Sequence, residues 1–249
     1  MVSGRRVGAA RWLAAACFLF VFGITPPAHA GDDDEAHFLL FSGRDLWRNG
    51  AFLYGGVVIA PGGFERDGFL LKLIYSVGLY RYNASNLGGA EVTGGETVGA
   101  FMPGWRIKRG NLEAKFFVGP DIEYHPLWPD DPANRLRGHA FGLRMATEIW
   151  YEPTPTTMIA ADASITTIVG DSATRLAFGW RVFDDLLDGF YVGPEVQYFS
   201  SYGYRHLRMG AHVTGLKTDN HEWSAGLGWA QDSVGRSGPY LRLGFLTRR

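Results

Sequence analysis

The chain has 249 residues, of which 46% are hydrophobic, with 24 Lys and Arg, 25 Asp and Glu and a single cysteine. That near-neutral charge balance excludes nucleic acid as a partner, because phosphate binding needs a net basic face. The length suits one domain rather than several.

The first thirty residues have the three-part pattern of a secretory signal. Arg5, Arg6 and Arg11 supply a positive start, and Trp12 to Ile24 an apolar run too short to span a bilayer as a helix. Pro26-Pro27-Ala28-His29-Ala30 ends that stretch as a small-residue cleavage site before Gly31. Cys17 lies inside the apolar run, so a mature chain starting at Gly31 has no disulfide and no cysteine-based metal site. Removal of three basic residues leaves 21 against 25 acidic ones, a formal charge of −4. A short acidic spacer, 31–36, precedes a single domain expected over 37–249.

Downstream the chain alternates with period two, the signature of strands whose successive side chains face opposite sides. In the stretch 112–124, Leu112, Ala114, Phe116, Val118, Pro120, Ile122 and Tyr124 share one parity. Glu113, Lys115, Phe117, Gly119, Asp121 and Glu123 share the other. About twelve such segments follow one another, near 38–48, 51–60, 68–82, 92–107, 111–124, 138–151, 156–169, 173–183, 189–199, 204–216, 221–231 and 239–246. A globular strand runs about 5–6 residues, whereas a tilted membrane-crossing strand needs about 9–11. The expected fold is therefore all-β, an antiparallel up-and-down transmembrane barrel in a bacterial outer membrane. A soluble barrel alternates too, but with shorter strands and polar outer faces.

The connections suit a meander. Asn49-Gly50 is a hairpin signal; Arg109-Gly110, Pro153-Thr154-Pro155, Asp184-Asp185 and Thr218-Asp219-Asn220 are short polar turns. The two longer loops, Asn83 to Ala90 and His125 to Leu136, follow the third and fifth segments, where such barrels carry their outer loops. Gly104-Trp105-Arg106-Ile107 followed by Val118-Gly119-Pro120-Asp121-Ile122-Glu123-Tyr124 is repeated as Gly179-Trp180-Arg181-Val182 and Val192-Gly193-Pro194-Glu195-Val196-Gln197-Tyr198. Two hairpins built alike suit a repeated-hairpin barrel. Trp47, Trp105, Tyr124, Trp150, Tyr151, Tyr198 and Trp229 fall near segment ends, as interfacial girdles do. The final aromatic, Phe245, stands four residues before the last, which departs from barrels that end on an aromatic residue.

On the polar parity Glu113, Arg144, Glu148, Arg175, Arg181, Glu195, Arg208 and Arg242 are the candidate lumen-lining charges. An unpaired charge in a poorly hydrated interior is costly, so they pair or hydrate there. Two readings stay open: an ion-paired plug that keeps the barrel rigid, and a narrow hydrophilic pore. Arg144, Arg175 and Arg181 are the expected buried cations, since a guanidinium forks onto carboxylates. Trp128, in the loop His125 to Asp131, is a possible carbohydrate contact by ring stacking, or a residue packed on the barrel rim. No catalytic residue, metal site or cofactor is expected. His206 and His212 sit several segments from Ser164, and no G-x-S-x-G, H-E-x-x-H or GxxxxGK[ST] motif occurs. The alternative from another class is a barrel enzyme that modifies outer-membrane lipid or polysaccharide.

Phe41-Ser42-Gly43-Arg44-Asp45-Leu46-Trp47-Arg48-Asn49-Gly50-Ala51-Phe52, Tyr54-Gly55-Gly56 and Gly68-Phe69-Leu70-Leu71-Lys72 resemble the cellulose biosynthesis protein BcsS family. So do Trp150-Tyr151-Glu152-Pro153-Thr154-Pro155, Tyr191-Val192-Gly193-Pro194-Glu195, His212-Val213-Thr214-Gly215-Leu216 and Arg236-Ser237-Gly238-Pro239-Tyr240. The resemblance implies a secreted accessory of bacterial cellulose synthesis, with outer-membrane lipid and cellulose or other synthesis components as partners, and no catalytic residues.

Overall fold

Long alternating segments separated by turn residues have one economical way to satisfy every backbone group, which is to pair with their chain neighbours and close the ring. The computed structural model describes residues 36–183, 189–218 and 220–249. Its strands are β1 (Phe38–Trp47), β2 (Gly50–Ile59), β3 (Gly68–Ala84), β4 (Ala90–Arg109), β5 (Leu112–His125), β6 (Leu127–Trp128), β7 (Gly138–Thr154), β8 (Thr157–Thr166), β9 (Ser172–Val182), β10 (Phe190–Ser201), β11 (Tyr204–Thr218), β12 (His221–Asp232) and β13 (Ser237–Arg248). The two-residue β6 only lies along the edge of β4. The other twelve form one antiparallel sheet in which each strand pairs with its neighbours in the chain, and β13 closes onto β1 from Leu39↔Arg248 to Trp47↔Tyr240. Backbone bonds between Phe38 and Arg249 complete the seam.

The expected parity is the one adopted, with the faces inverted relative to a soluble protein. On β5 every second residue from Phe117 to His125 is buried, while Phe116, Val118, Ile122 and Tyr124 are exposed on the outer wall. Phe141 (74% exposed), Leu227 (63%) and Trp180 (53%) continue that apolar exterior on other strands. Such a band of outward apolar side chains is what hydrocarbon requires. Trp105, Tyr124, Tyr151, Tyr198 and Trp229 stand on it, but Trp47 and Trp150 do not. Trp47 shares the inward parity of Asp45 and packs on His206, and Trp150 packs edge-on against Tyr191. Nearness to a strand end does not say which face a side chain takes.

The turns differ in detail from expectation. Gly50 opens β2, and the first turn is Arg48-Asn49; the β7–β8 turn is Pro155-Thr156. The expected turns at Asp184-Asp185 and Asp219 lie outside the described residues, as do the signal segment and all but Ala36 of the acidic spacer. The loop at 126–137 lies at the expected end, opposite the two chain termini. The connection 60–67, after the second strand, contradicts the expectation that longer loops gather at that one end. It folds inward at the terminal end. Phe64 enters a cluster with Leu39, Val58, Leu70, Met102 and Phe117, which lines the inner side of β1 to β5.

Both copies of the repeated Val-Gly-Pro motif mark a break in the ladder. Proline offers no N–H, and the paired register skips Phe101 to Pro103 opposite β5 and Gly193-Pro194 opposite β9. A Cβ at Gly119 would lie 2.0 Å from the carbonyl oxygen of Phe101; at Gly193 it would lie 1.9 Å from that of Phe178. Only glycine fits such an approach, and it aims the following acid, Asp121 or Glu195, into the lumen.

Candidate functional site

The lumen is where the polar parity converges. Glu195 on β10 is held by Arg175 of β9 and Arg242 of β13, each at 2.9 Å, and accepts from Tyr240 Oη at 3.0 Å and Gln197 Nε2 at 2.9 Å. It reaches that far because Gly226 leaves the space; a Cβ there would meet Glu195 Oε1 at 2.2 Å. Arg175 also bonds Asp162 of β8 at 3.2 Å. Arg144 on β7 forks onto Asp121 (2.8 Å) and Glu123 (3.0 Å) of β5, and Glu123 meets His125 at 3.0 Å. Arg208 on β11 crosses the seam to Asp45 of β1 at 2.5 Å, its guanidinium over the rings of Phe199 and Tyr240. Glu148 on β7 pairs with Lys72 of β3 and, at 3.6 Å, with Lys115, which also holds Glu113 at 2.9 Å.

Three of these pairs, Arg242 with Glu195, Arg208 with Asp45 and Lys72 with Glu148, bridge non-adjacent strands. Lys72 lies 5.2 Å from the centres of both Phe41 and Phe117, on β1 and β5, so one ammonium sits between two rings inside the barrel. Burial agrees: Asp121 is 1% exposed, Arg208 3% and Glu195 4%. Removed from water, each charge relies on its partner. A cavity of about 80 Å³ between Phe64, Arg106, Glu113 and Lys115 has room only for a few waters.

Seven of the eight candidate charges thus meet a partner within the lumen. The eighth, Arg181, keeps the inward parity and is exposed at the terminal rim of β9. The buried arginine at the equivalent place is Arg106, 1% exposed, which donates to the carbonyls of Gly63, Phe64 and Arg66 in the inward-folded loop. Sequence reading also missed Lys72, Asp45 and Arg106 as lumen groups. Lys72 sits in Gly68-Phe69-Leu70-Leu71-Lys72-Leu73-Ile74, where alternation fails because the inner side of the wall is also apolar there. Asp45 follows Arg44, and only the register says which of the two points inward. Trp128 pairs with Thr93 and lies over Gly95 on the outward side of β4, 59% exposed. Its ring covers the outer wall rather than the mouth.

His212 is bonded by both ring nitrogens, to Thr214 Oγ1 (2.9 Å) and the Phe178 carbonyl (3.1 Å), and His206 is buried against Trp47. Neither is presented to a serine. No group of three or more His, Asp or Glu side chains among the described residues is arranged to hold a metal ion.

At the loop end Asp131 organises the 126–137 connection, accepting from Tyr82 Oη (2.7 Å), Asn86 (2.8 Å) and the Ala133 N–H (3.1 Å). The Tyr82 hydrogen bond, helped by the others, holds its carboxyl below the usual carboxylate range. In the neighbouring 167–171 connection, burial pushes the Asp171 carboxyl up to about 6.

An apolar exterior, a twelve-strand closed ring and a charged, buried interior define the class: a β-barrel of the membrane-spanning kind, inside-out relative to soluble proteins. The chain belongs to the cellulose biosynthesis protein BcsS family, whose model matches residues 39–249. No curated protein matches it. Among solved structures it is similar to the KdgM porin in complex with disordered oligogalacturonate, at 11% identity and TM-score 0.43, covering 84% of this chain and 98% of that one. It is similar also to the transport unit of the autotransporter AIDA-I from Escherichia coli (10%, TM-score 0.45, 90% and 93%). A third is the β-domain of the Bordetella autotransporter BrkA (16%, TM-score 0.39, 86% and 99%).

Proposed function

We propose that this protein is a non-enzymatic outer-membrane accessory of cellulose biosynthesis or export, delivered by the signal at 1–30, and that its barrel acts as a scaffold rather than a pore. Family membership supports the cellulose role, and the apolar outer wall supports the membrane. The observation that carries the scaffold reading is the Glu195 node, in which one fully buried carboxylate ties β9 to β13 across the lumen. A conducting path needs hydrated, mobile side chains; here guanidinium groups, ammonium groups and carboxylates neutralise one another in place, beside an apolar cluster that includes Phe64.

Two measurements test it. Purified full-length protein in planar bilayers is expected to give no steady conductance, and unheated protein on a denaturing gel to run ahead of heated protein. Reproducible channels of one size reject the scaffold and favour solute passage. Deletion of the gene is expected to lower cell-associated or released cellulose. Unchanged cellulose with altered lipid A or phospholipid profiles overturns the accessory role in favour of a modifying enzyme.

A further inference from the structure

The outer wall carries one charge where hydrocarbon contact is expected. Arg44 on β1 has the outward parity, paired across to Leu53 and Leu243, with exposed Leu40 below it and Leu46 above it on its own strand. Among the described residues it is the one charged side chain on the outward parity with apolar outward residues both above and below it. A charge on this face is tolerated only near the interface or when its long side chain reaches a polar layer.

The polar layer directly above it is basic. Arg48, in the β1–β2 turn, and Arg81, outward on β3, are both exposed, and neither has an ion-pair partner among the described residues. The backbone of Arg81 and the side chain of Arg48 are each tied to a neighbour. The Arg81 N–H donates to the Asn49 carbonyl (2.9 Å), the Arg81 carbonyl accepts from Arg236 (2.8 Å), and Arg48 leans on the Ser237 carbonyl. At the loop end of β12, β13, β1, β2 and β3 the acidic side chains are Asp45 and Asp232. Both are consumed, by Arg208 at 2.5 Å and by Arg236 at 2.7 Å. One exposed carboxylate, Glu91, stands higher, opposite Asn83. The sector therefore presents two rim guanidinium groups and a third set lower in the apolar belt, with no exposed acid between them. That vertical order matches a headgroup whose phosphates lie at the interface while its acyl chains run down the wall past Leu46, Leu53 and Leu243. Guanidinium forks bind phosphate oxygens in pairs.

We propose that the outer face of β13, β1, β2 and β3 binds the phosphate groups of a phosphorylated glycolipid of the outer leaflet, through Arg44, Arg48 and Arg81. The proposal rests on the outer-membrane reading. The test uses the full-length protein refolded in neutral detergent and in phosphatidylcholine vesicles, titrated with bis-phosphorylated lipid A and, separately, with dephosphorylated lipid A. Its readout is the midpoint of the heat-induced gel-mobility shift. The phosphorylated form is expected to raise the midpoint saturably and the dephosphorylated form to leave it unchanged. The R44Q/R48Q/R81Q variant is expected to need at least tenfold more lipid A, while Arg137→Gln, on another sector, behaves as wild type. An equal rise with dephosphorylated lipid A, or an unaltered titration of the triple variant, overturns the proposal. So does efficient cross-linking of Arg44→Cys between two copies in lipid A, which assigns this face to self-association. Protein that never enters vesicles and shows no heat-dependent mobility defeats the membrane reading instead; protein that inserts normally but ignores lipid A defeats only this inference.

Discussion

Arg106 on β4 and Arg181 on β9 each follow a Gly-Trp pair, each keeps the inward parity, and each begins a hairpin whose second strand carries Val-Gly-Pro and an acid. Arg106 is 1% exposed and clasps three loop carbonyls; Arg181 stands exposed at the rim. The acids diverge as well. Asp121 shares Arg144 with Glu123, whereas Glu195 alone holds two arginines, and Arg144 would keep a partner if Asp121 were lost. Equal local sequence therefore fixes which face a side chain takes. What it meets there depends on strands and loops far away in the chain.

The largest expected effect is at Glu195. Glu195→Ala strands Arg242 in the lumen, leaves Arg175 with Asp162 alone and is expected to cost about 4 kcal/mol, against about 2 kcal/mol for Asp121→Ala, whose arginine retains Glu123. Denaturant unfolding in detergent measures both, and equal losses would erase the distinction between the two halves. Arg106→Ala comes next, at about 3 kcal/mol, because it leaves buried loop carbonyls without a donor. Arg181→Ala should fall within about 0.5 kcal/mol of wild type, as exposed substitutions do. A costly Arg181→Ala would show that its rim contacts matter as much as the clasp.

Where the two hairpins are alike, the effects should match. Gly119→Ala and Gly193→Ala each push a methyl into a carbonyl oxygen across the broken ladder, and both are expected to lose about 2 kcal/mol; a tolerated change at one site would mean that the repeat is not structural there. The smallest effect is a pH slope. Burial raises the Asp171 carboxyl to about 6, above its unfolded value, so the folded state holds that proton more tightly. Its contribution to stability is then greatest at low pH, declines as pH rises from about 4 to about 6, and is constant above that. Asp171→Asn should remove this decline from the unfolding midpoint measured against pH, leaving the other slopes unchanged.

Period-two alternation is written into each segment separately, so twelve strands, their inward and outward faces and the closed antiparallel meander were readable from residues alone. Phe116 and Val118 had to face one way and Glu113 and Lys115 the other, whatever the rest of the chain did. Ion-pair partners were not readable, because closure brings together residues as distant as Asp45 and Arg208, and the stagger between strands, not spacing in the chain, decides who meets whom. The same holds for Trp47 and Trp150, whose nearness to a strand end the sequence suggested but whose inward face followed from register, and for Lys72, hidden in an apolar run that faces an apolar cluster. Only the tertiary structure could decide that the 60–67 connection folds inward to bury Arg106 while Arg181 stays at the rim. Parity is a local property of an extended backbone, whereas burial belongs to whatever that backbone closes around.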